Sequence, residues 1–376
     1  MGGPNMRMGI SLGLGTAFWR VLKGASFAAD PGGAGAFTLP AWLAIVCSST
    51  GRTSQISASA IRTGFGANAA RARSADGTHW GLSVEKQNSN VSPKSQTIDT
   101  WTHFSTTYTA DTHVAPDGMT TADTLAWAAN NRYATPGGSG SGNACLSIWA
   151  RTATTGTQVR ILDGIGATAT KTLSLTSAWQ RGDLAANFTS VDLGVGTFTT
   201  NIPNGDAAVW GGQLESGLYP TSYIPTTSGT VTRNADVLSI PTPAGISPNG
   251  FVDVDLTWVP HYAQSEQGVD HDLLFFDSSN RLYVQQSTSK IILRVGGSNV
   301  LSSALTWSRN QALRIRAQHR SNGRTLVVSG ATTGDGTTTG GAQSAISLPG
   351  TAYLLGNASG GQECSDLRSI LFMRAA

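Results

Sequence analysis

Carboxylates are the first residues to test for chemistry. The chain carries only the glutamates Glu85, Glu215, Glu266 and Glu363. Glycosidic hydrolysis needs two carboxyl groups at a set separation across a cleft, and none of these glutamates sits in a recognisable catalytic motif. Asp270-His271-Asp272 is the densest run of titratable groups. Neighbours on a strand point to opposite faces, so the run is expected to be a solvated loop tip. The histidines are isolated, without metal-ligand spacing. Cys47, Cys145 and Cys364 are far apart, odd in number and form no C-x-x-C, so neither a zinc knuckle nor a redox pair is indicated. Gly138-Ser139-Gly140-Ser141-Gly142 spells G-x-S-x-G, but a nucleophile elbow needs a strand before it and a helix after it, and this run reads as a low-complexity loop. Calcium wants several oxygens from separated positions. Asp117, Asp163 and Asp206, on turns, could supply them, so structural calcium is the one cofactor entertained. The chain is read as a non-enzyme.

Aromatic rings offer a different chemistry. The apolar faces of sugars pack on such rings while their hydroxyls bond to nearby polar groups. The candidates are Trp101, Trp127, Tyr133 and Trp149, then Trp258, Tyr262, Tyr283 and Trp307. Most of these tryptophans are expected in a core. Tyr133 follows Asn130, Asn131 and Arg132 and precedes a Gly-rich loop, so it is the ring expected at the surface. Tyr133, Asn131, Arg132, Trp127 and Tyr262 form the expected carbohydrate-binding set.

Composition narrows the class of protein that must position these groups. Only 12% of the 376 residues are charged, about half the globular average, and Gly, Ser, Thr, Ala and Asn take their place. Hydrophobic residues make up 39% and the net charge is +3, which is not the profile of a disordered chain. Lys and Arg are scattered without a basic run or aromatic interleaving, so nucleic acid is not an expected partner. The apolar stretch Gly9–Trp19 is broken by glycines, and no stretch reaches the about 18 apolar residues of a membrane span. Neither a signal peptide nor a transmembrane helix is expected.

The elements read as strands almost throughout. Residues 1–40 are Gly-rich and read as an extended N-terminal arm with a short helical turn around Ala17–Leu22. Its side chains, notably Phe18, Trp19, Val21 and Leu22, suit an anchoring segment that orders against a partner. Residues 41–97 read as a small β connector, with strands at Trp42–Val46 and Trp80–Val84. From 98 to 240, short alternating runs such as Leu146–Ala150, Gln158–Leu162, Lys171–Leu175 and Ala207–Trp210 are separated by turns. That is the pattern of an antiparallel sandwich. Pro241 to Gly250 is a linker by composition. From 241 to 376 a second sandwich is expected, its strands including Phe251–Trp258, Leu273–Phe276, Leu282–Gln285, Ile291–Val295, Leu313–Ala317, Thr325–Ser329, Ala352–Leu355 and Ile370–Met373.

One stretch is more specific than any of this. Trp210-Gly211-Gly212-Gln213-Leu214-Glu215-Ser216-Gly217 runs into Leu218-Tyr219-Pro220-Thr221-Ser222-Tyr223-Ile224-Pro225-Thr226, and Thr232-Arg233-Asn234-Ala235-Asp236-Val237 follows. Even spacing puts Trp210 and Leu214 on one strand face, as core, with Gln213 and Glu215 facing the other way. Pro220 and Pro225 fix φ and remove donors, so the chain there should be an extended strap over a sandwich rim. The stretch resembles the end of the carbohydrate-binding-module-like jelly roll of phage tail-fibre and head-fibre proteins. Gly81–Asn90, Ala115–Asp123 and Ser177–Arg181 are similar to further pieces of that family in the same order. The resemblance spans roughly residues 75–240. The C-terminal part is similar in pattern to concanavalin-A-like, laminin-G-like sandwiches.

The fold class expected is therefore all-β, with two antiparallel β-sandwich domains after an extended arm. The resemblance implies a virion location and a non-enzymatic fibre or spike that attaches to host-cell polysaccharide. It also implies capsid or tail proteins as partners and a homotrimeric assembly. The rival readings are a purely structural capsid or tail decoration and a polysaccharide depolymerase.

Overall fold

The structure is a computed structural model that describes residues 20–23, 44–46, 52–57, 59–65, 67, 71–73, 81–128, 133–137, 139–163, 169–197, 205–241 and 250–373. The early strands are β1 Arg20–Lys23, β2 Ala44–Val46, β3 Arg52–Ser57, β4 Ala60–Phe65, β5 Ala72–Arg73, β6 Gly81–Val84 and β7 Asn88–Asn90. A central group follows: β8 Thr102–Phe104, β9 Thr107–Val114, β10 Thr120–Trp127, β11 Tyr133–Thr135, β12 Gly140–Arg151 and β13 Gln158–Asp163. It continues with β14 Thr170–Ser174, β15 Gln180–Val191, β16 Leu193–Gly196, β17 Gly205–Ser216 and β18 Val231–Arg233. The last group opens with β19 Val237–Pro241, β20 Val252–Pro260, β21 His271–Asp277, β22 Asn280–Gln285, β23 Lys290–Val295 and β24 Ser298–Leu301. It closes with β25 Leu313–Arg320, β26 Gly323–Ser329, β27 Gly336–Gly340, β28 Thr351–Leu354 and β29 Ser365–Met373. Among the described residues the only helical turns are single 3-10 turns at Ile98–Thr100 and Gln264–Glu266. The chain is all-β, and every pairing between the described strands is antiparallel.

Two sandwiches account for nearly all of it. The first packs a sheet of order β15-β12-β17-β10-β9 against one of order β14-β13-β16-β11-β8. Its core holds Trp101, Leu125, Trp127, Leu146, Ile148, Val159, Ile161, Leu193 and Leu214. The second packs an eight-stranded sheet, β27-β26-β25-β20-β29-β6-β5 with β1 also on β29, against a seven-stranded one, β2-β19-β28-β21-β22-β23-β24. Its core is built on Val254, Leu256, Trp258, Leu282, Ile291, Ile315 and Phe372. On β20, Val252, Val254, Leu256 and Trp258 point into that core, which is why the alternation reads so clearly in the sequence.

Composition divides the chain at 40, 97 and 240, but the sheets cross those divisions. β5 and β6 of the connector region belong to the eight-stranded sheet, and β2 belongs to the seven-stranded one. The first sandwich is thus inserted between strands of the second. Val21 and Leu22, expected in a helical turn of an arm that anchors against a partner, lie in β1, which pairs with β29 of the same chain in register Val21↔Leu371 and Leu22↔Ile370. β1 and β6 occupy one edge of β29 end to end, β6 meeting residues 365–367. Phe18 and Trp19 lie outside the described residues.

The face assignment along β17 also differs from the expectation. Trp210 packs with Trp149, Ala208 and Tyr223, whereas Leu214 lies in the core between the sheets. They face opposite ways because the β12–β17 register slips between Ser147 and Trp149. Three residue steps on β17 oppose two on β12, a bulge at Gly211, whose φ is +71°. Gln213 and Glu215 therefore share the face of Trp210. The strap covers that face: Tyr219, Thr221, Tyr223, Ile224 and Thr226 are all buried.

Candidate functional site

The residues that carry the family resemblance converge on one buried polar seam between the sandwiches. Glu85, at the end of β6, accepts from Arg71 Nη1 at 2.6 Å, from Ser222 Oγ at 2.6 Å and from the Ser222 amide at 2.9 Å. Arg233 Nη1 lies 3.0 Å from the same carboxylate. Asp236 takes Arg52 Nη1 at 2.6 Å, the other arm of Arg71, and the amide of Glu85. Glu215 accepts from Asn88, Gln213 and both donors of Thr221. Asn90 ties Gly212 and Ile224 carbonyls to the Leu214 amide. The buried polar positions of the signature thus fix neighbouring segments, so the motif is a structural device in this chain.

The electrostatics follow from burial against pairing. Burial works to raise the Glu85 pKa, but Arg233, Arg71 and His261 together hold it well below the usual carboxylate range. Burial works to lower Arg71, and Asp236 and Glu85 outweigh it, so its pKa is raised. Glu215 is raised by burial despite Arg181 and Thr221. Asp366 is held low by His261 and Arg73 against the same desolvation. His261 Nε2 lies 2.8 Å from Asp366 Oδ1, and Arg73 Nη1 lies 2.9 Å from Asp366 Oδ2.

Glu85, His261 and Cys364 are the group of potential metal ligands found among the described residues, with their donor atoms within 4.8 Å of one another. The surroundings do not suit a cation. Both Glu85 oxygens are already bonded, and burial pushes the Cys364 thiol up to about 12. The guanidiniums of Arg52, Arg71, Arg73 and Arg233 already outnumber the carboxylates Glu85, Asp236 and Asp366. A divalent ion would add like charge to a region out of contact with water. The cluster belongs to the seam. Asp117 and Asp206 lie toward opposite ends of β10, and Asp163 lies in the facing sheet, so the aspartates considered for calcium do not converge.

The expected solvated tip Asp270-His271-Asp272 is mostly interior. His271 and Asp272 are buried within β21. His271 Nδ1 accepts from the Tyr262 hydroxyl at 2.9 Å, and Nε2 donates to the Leu355 carbonyl at 3.3 Å. Asp272 points the other way, to Gln362 and Arg281. Gly140 to Gly142, expected in a loop, open β12. The glutamates are not set across a cleft. Glu85, Glu215 and Glu363 are buried, and Glu266 is paired with Arg309.

The surface rings are elsewhere. Trp127 and Tyr262 are core residues, excluded from any contact with ligand by full burial. Asn131 and Arg132 lie outside the described residues. Tyr133 is at the surface, half-buried, because Ala134 beside it points into the core. Its ring stacks on Phe104, 4.4 Å between centroids at 19°, and Phe104 is 44% exposed. The register continues this pair into a row across the sheet: Phe104, Tyr133, Gly196, Arg160 and Thr172, on β8, β11, β16, β13 and β14. Val159 and Ile161 point inward, so Arg160 faces outward with the rings. Arg160 Nε donates to Thr172 Oγ1 at 3.0 Å, and Gly196 between the large side chains is itself buried, so the row is a continuous surface. Phe104 and Arg160 escaped the sequence reading because cross-strand register alone places them beside Tyr133.

No protein-family model matches the chain. No curated protein matches it either. Among solved structures, domains LG4-5 of the mouse laminin alpha1 chain align over 77% of this chain and 89% of that one, at 8% identity and a TM-score of 0.23. A likeness at that score carries no argument, and the all-β sandwich class rests on the strand pairing described above.

Proposed function

We propose that the chain is a non-enzymatic fibre or spike subunit of a bacteriophage-like virion whose sandwiches touch host-cell polysaccharide during attachment. The observation that carries this reading is the exposed Phe104–Tyr133 stack with Arg160 and Thr172 in the same row. Stacked rings offer apolar area to a sugar face, and the flanking guanidinium and hydroxyls suit its oxygens. The resemblance of residues 75–240 to phage fibre jelly rolls supplies the virion setting. In this reading the subunit assembles as a homotrimer mounted on capsid or tail proteins. Because β1 is paired with β29, the mounting role falls on the chain before β1.

The test is a glycan array followed by titration calorimetry on any glycan retained. Phe104→Ala and Tyr133→Ala should each weaken binding by about tenfold or more with an unchanged melting temperature. Unchanged affinity in both variants, or no glycan retained by the unaltered chain, would remove the attachment reading. A purely structural decoration is the second reading. It is favoured by one observation, that the buried polar residues of the signature serve the seam.

A further inference from the structure

The second sandwich carries a row of its own on the outer face of the seven-stranded sheet. Register aligns Tyr353, Phe275, Arg281, Arg294 and Asn299 across β28, β21, β22, β23 and β24. Their chain neighbours Leu354, Leu274, Leu282 and Leu293 fill the core, so these side chains face outward. Phe275 and Tyr353 are half-buried, with ring centroids 6.4 Å apart.

Arg281 and Arg294 stand directly opposite each other. Residues so paired have Cβ atoms about 4.5–5.5 Å apart, and like charges there repel. Arg281 is anchored: Nη1 lies 3.1 Å from Asp272, and its guanidinium lies 3.8 Å over the Tyr283 ring. Asp272 is itself shared with Gln362. Arg294 has no ion pair or hydrogen bond from its side chain among the described residues, and its Nε is buried without a partner. Lys290, two positions before Ile292 on the same strand face, adds a third positive group, so three cations face the two carboxylates of Asp270 and Asp272 and a positive excess remains.

From this incompletely neutralised pair beside two rings we infer that the face is a binding site for an acidic polysaccharide, its carboxylate or sulfate group held between Arg281 and Arg294. A planar guanidinium matches such a group in a bidentate fork. Phe275 and Tyr353 then lie one and two strands away, where the next sugar ring would pack on them. A nucleic acid would also be drawn to the charge, but two rings inclined at 51° are too few and too divergent to form a run of platforms for successive bases. This site is separate from the Phe104–Tyr133 row and does not depend on it.

The test uses the full chain and four immobilised probes: dextran sulfate, polygalacturonate, neutral dextran and a single-stranded oligodeoxynucleotide. The unaltered chain should bind the two acidic polysaccharides and not neutral dextran. Arg294→Gln should weaken that binding by about tenfold and leave the melting temperature unchanged or higher, since it removes a repulsion. Arg314→Gln is the control for general charge, because Arg314 is an exposed arginine paired with Asp255 on the opposite sheet, and it should change nothing. Phe104→Ala should also leave this binding intact, which separates the site from the first row. The inference is overturned if Arg294→Gln binds as the unaltered chain does, or if Arg314→Gln loses as much. Failure to bind either acidic polymer overturns it too, as does equal affinity for the oligonucleotide.

Discussion

At the scale of single residues, burial without water sets the largest effects. Arg71 is fully buried and bridges Glu85 to Asp236. Removing one partner of a buried ion pair leaves the other charge uncompensated, typically at about 3–5 kcal/mol. Arg71→Ala should therefore lower the unfolding free energy by an amount of that order, read as a lower urea midpoint, and Arg71→Lys should recover only part because one ammonium cannot span both carboxylates. Trp210→Ala should cost about 3–5 kcal/mol as well, the usual range for a buried Trp. Its ring packs on Tyr223 at 4.6 Å, and its indole N–H reaches Thr121 at 3.1 Å. His271 adds a pH dependence. Burial lowers its pKa from 6.5 to about 4. Stability from this group is complete above pH 6.5 and falls as pH drops toward 4, because the unfolded chain gains a proton that the folded chain refuses. The shift is worth about 3 kcal/mol. His261, also lowered by burial, acts in the same direction. Denaturant midpoints measured across this pH range should slope downward toward acid, and His271→Gln should flatten the slope.

At the scale of elements, the bulge in β17 decides which residues reach the seam. Without it, Glu215 and Gln213 would point into the apolar core, where neither has a partner. Gly211 makes the bulge possible with φ +71°, and a Cβ there would sit 3.2 Å from the Trp149 ring. A side chain in that conformation is strained whatever the space around it. Gly211→Ala should therefore cost more than about 1 kcal/mol, seen as a lower melting temperature. Gly217, with φ +115° but only the Lys86 amine near its Cβ position, is the comparison. Gly217→Ala carries the backbone penalty without the aromatic contact and should cost less.

At the scale of the whole molecule, insertion of one sandwich into the other makes the halves interdependent. Arg52, Arg71 and Glu85 come from the N-terminal segments, Ser222 from the strap, Arg233 and Asp236 from β18 and the residues after it, and His261 and Asp366 from the second sandwich. Calorimetry should show a single unfolding transition. Two resolved transitions would mean that the seam does not couple the halves. Truncation gives a second check. Of the described residues, deleting 1–40 removes only β1 from the edge of β29, so the chain should fold with a small loss of stability. Deleting residues 1–97 removes β5, β6, Arg71 and Glu85 as well, and the product should be degraded by protease under conditions where the shorter deletion resists.

The sequence by itself determined the all-β class, the positions of most strands and the outward placement of Tyr133. These depend on period-two alternation and on turn residues, which are properties of a few consecutive positions. Leu313–Ala317, Ile291–Val295 and Phe251–Trp258 read correctly because each has one face in a core. The tertiary structure alone decided that Trp210 and Leu214 part company, since a one-residue bulge inverts every later side chain on a strand. It alone decided that Asp270-His271-Asp272 is mostly interior and that Trp127 and Tyr262 are core. It also decided which charges neutralise one another. Arg73 meets Asp366 across 293 residues of chain, and Arg52 meets Asp236 across 184. Alternation says that a residue faces inward or outward, but a charge finds its partner through the order and register of strands far apart in sequence, and no local pattern encodes that.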